Sequence, residues 1–118
     1  MNREPEFQIT VTSSSPNGDA LNEAVVAMVA GEVDLATSPE LEKVLQGVLE
    51  WGGTALVVDL GGLTFLDCSG ISVLVRAARL AKETGGTFTV RNPRANVRRV
   101  FDIAEMNEFL GVKQMAHH

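Results

Sequence analysis

The 118-residue sequence has one cysteine, Cys68, no tyrosine, a single tryptophan, and no histidine before the terminal pair His117 and His118. One cysteine excludes an intrachain disulfide and leaves no companion thiolates for a sulfur-ligated metal site. Without an internal imidazole, Ser-His and Cys-His nucleophile pairs have no base, so hydrolysis of that type is not expected. His117 and His118 read as a tail rather than a site. Positive charge is also scarce, with 10 Lys and Arg against 15 Asp and Glu, a net charge of -5. Electrostatic capture of nucleic acid or of an anionic membrane surface needs the opposite balance, so the expected partner is a protein or a small molecule. No stretch approaches the roughly 20 apolar residues that span a bilayer, and Met1-Asn2-Arg3-Glu4-Pro5-Glu6 lacks the apolar core of a secretory signal. The expected location is the cytoplasm. A Gly-Lys-Ser/Thr phosphate loop is missing, and Gly52-Gly53, Gly61-Gly62 and Gly85-Gly86 lack the spacing of a dinucleotide fingerprint. The expectation is a binding module, not an enzyme, that needs no cofactor.

What is present suffices for one apolar core, and the length favours a single domain over 1–118, with its core at about 7–112. Phe7 to Thr12 alternates apolar and polar residues, the period of a half-buried strand. Ser13 to Asn22 collects turn formers and is expected to be a mobile loop, leading to a second strand over Ala24 to Ala30 that pairs antiparallel with the first. Thr37-Ser38-Pro39-Glu40 fits a capping box with an early proline, and Leu41, Val44, Leu45 and Val48 then share one helical face up to about Trp51. Thr54 to Leu60 is an unbroken apolar run, expected to be the central strand and covered on both faces. From Ser69 to about Thr84, Ser72, Arg76, Arg79 and Glu83 mark one solvent stripe, with Ile71, Leu74, Val75, Ala78 and Ala81 on the buried side. Thr87 to Arg91 alternates as a strand. Asn92-Pro93 is expected to start a helix carrying Val97, Val100, Phe101 and Ala104 on one face. A short fourth helix around Met106 to Leu110 is expected before the tail at 113–118. The fold class is α/β: a mixed sheet of four to five strands, an antiparallel N-terminal pair, right-handed parallel crossovers and about four helices.

Three features carry candidate chemistry. Asp34, Asp59 and Asp67 are carboxylates that could converge on a divalent cation, although their spacings are unrelated. Arg91, Arg94, Arg98 and Arg99 form a local basic patch without interleaved aromatics, which reads as a solvated face or a protein contact. The third is Val57 to Ile71, which passes from a buried strand through a loop into a helix that opens on Ser69 and Gly70. In open α/β sheets, partners and ligands bind beyond the carboxyl ends of the strands, where Asp67-Cys68-Ser69-Gly70 would lie. On position alone, Ser69 is an N-cap or a functional hydroxyl.

Leu63-Thr64-Phe65-Leu66-Asp67-Cys68-Ser69-Gly70-Ile71-Ser72-Val73-Leu74 resembles the signature of bacterial anti-sigma-factor antagonists of the STAS domain family. Gly31-Glu32-Val33-Asp34-Leu35-Ala36-Thr37-Ser38-Pro39-Glu40-Leu41 is similar to the motif that leads into that family's first helix, and Val100-Phe101-Asp102-Ile103 resembles its closing helix. The resemblance implies that Ser69 is phosphorylated by a partner that is both serine kinase and anti-sigma factor. The unphosphorylated chain would sequester that partner and free a sigma factor, and a serine phosphatase would reset the switch. It further implies a contact surface of Asp34, Thr37, Ser38, Asp67, Cys68, Ser69, Gly70 and Ser72. Two other readings keep the residues and change the role: a STAS-like scaffold in a stress-signalling or transporter-associated complex, and a nucleotide-binding domain.

Overall fold

A computed structural model describes residues 7–14 and 24–113. The elements run β1 (Phe7–Ser14), β2 (Ala24–Val33), α1 (Ser38–Leu49), β3 (Ala55–Leu66), α2 (Cys68–Glu83), β4 (Thr87–Arg91), α3 (Ala95–Ala104) and β5 (Val112–Lys113). They build one five-stranded sheet in the order β1-β2-β3-β4-β5. β1 pairs antiparallel with β2, and every later pairing is parallel. β3 is therefore the middle strand, as expected from its apolar run. Most of the expected loop at 13–22 lies outside the described residues, except that Ser13 and Ser14 end β1. His117 and His118 also lie outside them.

The core is one-sided. Leu56, Val58 and Leu60 of β3 are buried with Ala27, Val29 and Val33 of β2, against Leu41, Leu45 and Leu49 of α1 and Val73, Leu74, Ala77 and Ala81 of α2. The opposite face is open. Val57 and Asp59 are only partly covered, and Met28 is 48% exposed. The expectation that β3 is covered on both faces is thus corrected, since alternate residues of an apolar run can lie on a half-open face when none of them is large and charged.

The elements also differ from expectation at their ends. β3 continues six residues past Leu60, through Gly61-Gly62, because its register against β2 slips twice. Between the pairs Met28–Asp59 and Ala30–Gly62, and again between Gly31–Leu63 and Glu32–Phe65, β3 carries one residue more than β2. Such bulges twist and re-aim a strand. Here they bring Leu66 level with Val33, and the Asp67 N–H donates to the Val33 carbonyl at 3.2 Å.

The capping box of α1 does not form. Thr37 occupies the N-cap without a side-chain cap bond, because its hydroxyl is used by the preceding turn. Asn92 does not cap α3 either. It sits at φ 61 and α3 begins at Ala95, preceded by Arg94 without a side-chain cap. The expected fourth helix is a hydrogen-bonded turn, with the Leu110 N–H donating to the Met106 carbonyl, and it delivers β5 instead. At the far end of α2, Gly85 at φ 84 supplies the left-handed residue that closes the helix, and the Gly86 N–H reaches back to the Ala81 carbonyl at 2.7 Å.

Candidate functional site

Val33 and Leu66 are neighbours at the carboxyl ends of the adjacent parallel strands β2 and β3. The residues that follow them are Asp34 and Asp67. The sheet therefore brings the two candidate segments together at one end, although they lie 33 positions apart in sequence.

The Asp67 turn is built on one oxygen. Asp67, in extended backbone, is the N-cap of α2, and its Oδ1 accepts from the Ser69 N–H at 2.9 Å and the Gly70 N–H at 3.3 Å. The same oxygen accepts from the Ser69 hydroxyl at 2.5 Å. Ser69 is thus not the cap, as position alone had allowed, but a side chain held by the cap. The Ser69 hydroxyl bond, helped by the Gly70 and Ser69 N–H groups, outweighs desolvation and keeps the Asp67 carboxyl below the ordinary carboxylate range. Asp67 and Ser69 are partly exposed, Cys68 and Ser72 are exposed, and Gly70 is buried. Gly70 faces inward because it has no side chain. A Cβ there would overlap Leu66 Cδ1 and stand 2.8 Å from Val33 Cγ1.

The Asp34 turn is closed in a similar way. Asp34 Oδ1 accepts from the Ala36 N–H at 2.9 Å and the Thr37 N–H at 3.1 Å. The Thr37 hydroxyl accepts from the Asp34 N–H at 2.9 Å and can give its one proton to the Glu32 carbonyl at 3.0 Å or to Asp34 Oδ1 at 3.2 Å. Both residues are part-exposed, whereas Ser38 is only 6% exposed, so its side chain does not reach the surface. Arg76 of α2 forks onto Glu42 of α1, with Nη2 to Oε1 at 3.1 Å. That pair ties the two helices together just behind the two turns, and the Arg76 hydrogen bond holds Glu42 below the ordinary carboxylate range.

Two apolar residues escape a reading of the sequence for chemistry. Leu35, inside the Asp34 turn, is 79% exposed, and Phe65, one position before buried Leu66, is 44% exposed. The available signal was Leu35 itself, a large apolar residue in the turn between Asp34 and Thr37.

The carboxylates do not converge on a cation. Among the described residues no group of three His, Cys, Asp or Glu is placed to hold one. Asp59 instead ties β3 to the end of β4: its oxygens accept from the Gly61 N–H at 2.8 Å, Arg91 Nε at 2.9 Å and Asn92 Nδ2 at 3.2 Å. Burial opposes its ionisation, but these donors prevail and its pKa is lowered. The basic patch is likewise partly spent, since Arg94 Nε donates to the Gly61 carbonyl at 2.9 Å. A groove of about 400 Å³ among Ala78, Arg79, Lys82, Phe88 and Phe109 shares no lining residue with the Ser69 turn. Among the described residues no helix is long and apolar enough to cross a membrane.

The chain is similar to several known proteins. It is 27% identical over 84 residues to the anti-sigma-B factor antagonist of Bacillus subtilis, covering 71% of this chain and 76% of that one. It is 39% identical over 66 residues to the anti-sigma-F factor antagonist RsfB of Mycobacterium tuberculosis, covering 56% of this chain and half of that protein. The crystal structure of an anti-sigma factor antagonist from Mycobacterium paratuberculosis superposes with a TM-score of 0.71 at 28% identity, over 92% of this chain and 87% of that one. The family profile described as Mlab, STAS domain matches residues 18–112, which include both turns and the strands that present them. With its antiparallel β1–β2 pair, its parallel strands and the Asp67-to-Gly70 turn at the sheet's end, the chain belongs to the STAS domain family.

Proposed function

We propose that the chain is an anti-sigma-factor antagonist switched by phosphorylation of Ser69. Unphosphorylated, it binds an anti-sigma factor that is also a serine kinase, and so releases a sigma factor. The partner transfers a phosphoryl group to Ser69 and the complex separates, until a serine phosphatase removes the group. The chain's role is regulatory binding rather than catalysis, and its place of action is the cytoplasm.

The observation that carries the reading is the Ser69 hydroxyl itself, part-exposed at a strand-to-helix turn and oriented by Asp67 Oδ1 at 2.5 Å. Around it lie the ingredients of a protein interface: exposed Leu35 and Phe65 as apolar anchors, with Asp34, Thr37, Cys68 and Ser72 as a polar rim. The named relatives support the coarse role.

The switch follows from charge. Phosphorylation removes the proton that Asp67 accepts and adds about -1.5 to -2 charge at pH 7. A helix N-terminus normally welcomes an anion. Here Asp67 already occupies the Ser69 and Gly70 N–H groups, so the phosphate must displace that carboxylate or turn outward into the partner's footprint. An outward phosphate has to be desolvated against apolar anchors, and a cost of about 3 kcal/mol weakens binding more than 100-fold.

The test compares Ser69→Ala and Ser69→Asp in binding to the anti-sigma factor of the chain's own cell by calorimetry. Ser69→Ala should bind like the native chain and accept no phosphate, while Ser69→Asp should bind at least about tenfold more weakly. Equal affinity of the two variants would overturn the switch and leave a constitutive scaffold. Binding of ATP or GTP by the chain alone, seen by equilibrium dialysis, would instead favour a nucleotide-binding domain.

A further inference from the structure

We propose that the outer edge of β1 is a self-association surface, on which two copies of the chain pair antiparallel about Thr10 and join their sheets. β1 is the terminal strand of the sheet and, among the described residues, pairs on one side only. An unpaired strand edge presents a row of N–H and C=O groups that templates another strand, and proteins that stay monomeric usually blunt it with Lys, Pro, a bulge or a very short strand. Among the described residues of β1 none of these devices is present. Phe7-Gln8-Ile9-Thr10-Val11-Thr12-Ser13-Ser14 spans eight residues without a charge or a proline, and its register with β2 runs unbroken from Phe7–Gly31 to Ser14–Ala24. The other edge, β5, is two residues long.

The occupant is a second copy because this edge is self-complementary. A twofold axis perpendicular to the sheet keeps each face on its own side, so residues of the same parity must meet. Centred on Thr10, the pairing sets Thr10 opposite Thr10, Ile9 opposite Val11 twice, Gln8 opposite Thr12 and Phe7 opposite Ser13. Val11, 41% exposed, gains an Ile neighbour, and the polar face meets hydroxyls and an amide. β1 itself carries no charge, so the pairing sets no like charges opposite each other even though each copy has a net charge of -5. The surface is independent of Ser69, so a dimer would present two switch turns.

Sedimentation equilibrium of the full chain tests this. The native chain is expected to show a reversible, concentration-dependent dimer, and Ser69→Asp should leave it unchanged. Thr10→Glu and Thr10→Lys, at an exposed position, should each weaken the dimer by at least about tenfold by opposing like charges, and mixing the two should restore it. If either variant fails to fold by circular dichroism, the doubly substituted pair Gln8→Glu/Thr12→Glu and Gln8→Lys/Thr12→Lys reads the same register. A native chain that stays monomeric at millimolar concentration overturns the proposal. So does a dimer indifferent to these charges, or one that mixing does not restore.

Discussion

Replacing Gly70 by alanine isolates packing from chemistry within the Asp67-to-Gly70 turn. The added methyl would overlap Leu66 Cδ1 and sit 2.8 Å from Val33 Cγ1. Leu66 Cδ1 is the tip of a flexible chain and can turn aside. Val33 is β-branched, fully buried and fixed in β2, so it cannot. Overpacking of this kind costs about 1–3 kcal/mol, and alanine returns at most about 1 kcal/mol of helix propensity near the start of α2. The net expectation is a loss of about 1–2 kcal/mol, read as a lower urea midpoint with an unchanged slope. Leu66→Ala alone should cost roughly 2–5 kcal/mol through the cavity it leaves. Because the alanine methyl at position 70 would occupy part of that cavity, the double variant should be more stable than the sum of the two losses by at least about 1 kcal/mol. A Gly70→Ala chain as stable as the native one, or strict additivity with Leu66→Ala, would mean that Val33 and Leu66 make room for the methyl and would leave Gly70 to the partner contact alone.

The cap and the hydroxyl can be separated in the same way. Asp67→Ala removes the acceptor of the Ser69 and Gly70 N–H groups and should cost about 1 kcal/mol in urea unfolding, whereas Asp67→Asn keeps an acceptor and should lose only a few tenths. An alanine variant as stable as native would refute the cap. Ser69→Ala deletes the largest influence lowering the Asp67 pKa, so carbon-detected NMR should show that carboxyl titrating at higher pH than in the native chain. The linked stability has a definite sign: a depressed carboxylate stabilises above its unfolded pKa, near 3.9, and that contribution disappears as pH falls through the folded value. The acid limb should therefore shrink in Ser69→Ala, and an unchanged titration of Asp67 would contradict the hydroxyl bond.

Where the sequence was legible, periodicity made it so. The stripe Ser72, Arg76, Arg79 and Glu83 is exposed as its spacing requires, although Arg76 is also committed to Glu42. The buried side of α2 is centred on Gly70, Val73, Leu74, Ala77 and Ala81, with Ile71, Val75 and Ala78 flanking it, because alanine and glycine mark a close helix approach that hydrophobicity alone underrates. What failed was local chemistry set by tertiary context. Gly61-Gly62 reads as a turn, yet the bulged pairing with β2 keeps it in β3. Thr37 reads as a cap, yet its hydroxyl serves the Asp34 turn. Ser69 and Asp67 are both good caps, and only the extended backbone at Asp67 shows which one is used. The cation reading failed because each of the three carboxylates is taken up by N–H or O–H donors and no group of three is placed to hold an ion among the described residues. Asp34 and Asp67 were legible as candidates, but their adjacency depends on the Val33–Leu66 register, which no local pattern encodes.

The proposed switch requires a reversible phosphoryl group on Ser69. Intact-mass measurement of the chain taken from its own cells, with and without serine phosphatase treatment, should show a removable increment of about 80 daltons, mapped by fragmentation to Ser69 and missing from Ser69→Ala. An increment on another residue, or none in any growth or stress condition while the sigma-factor output still changes, would contradict it.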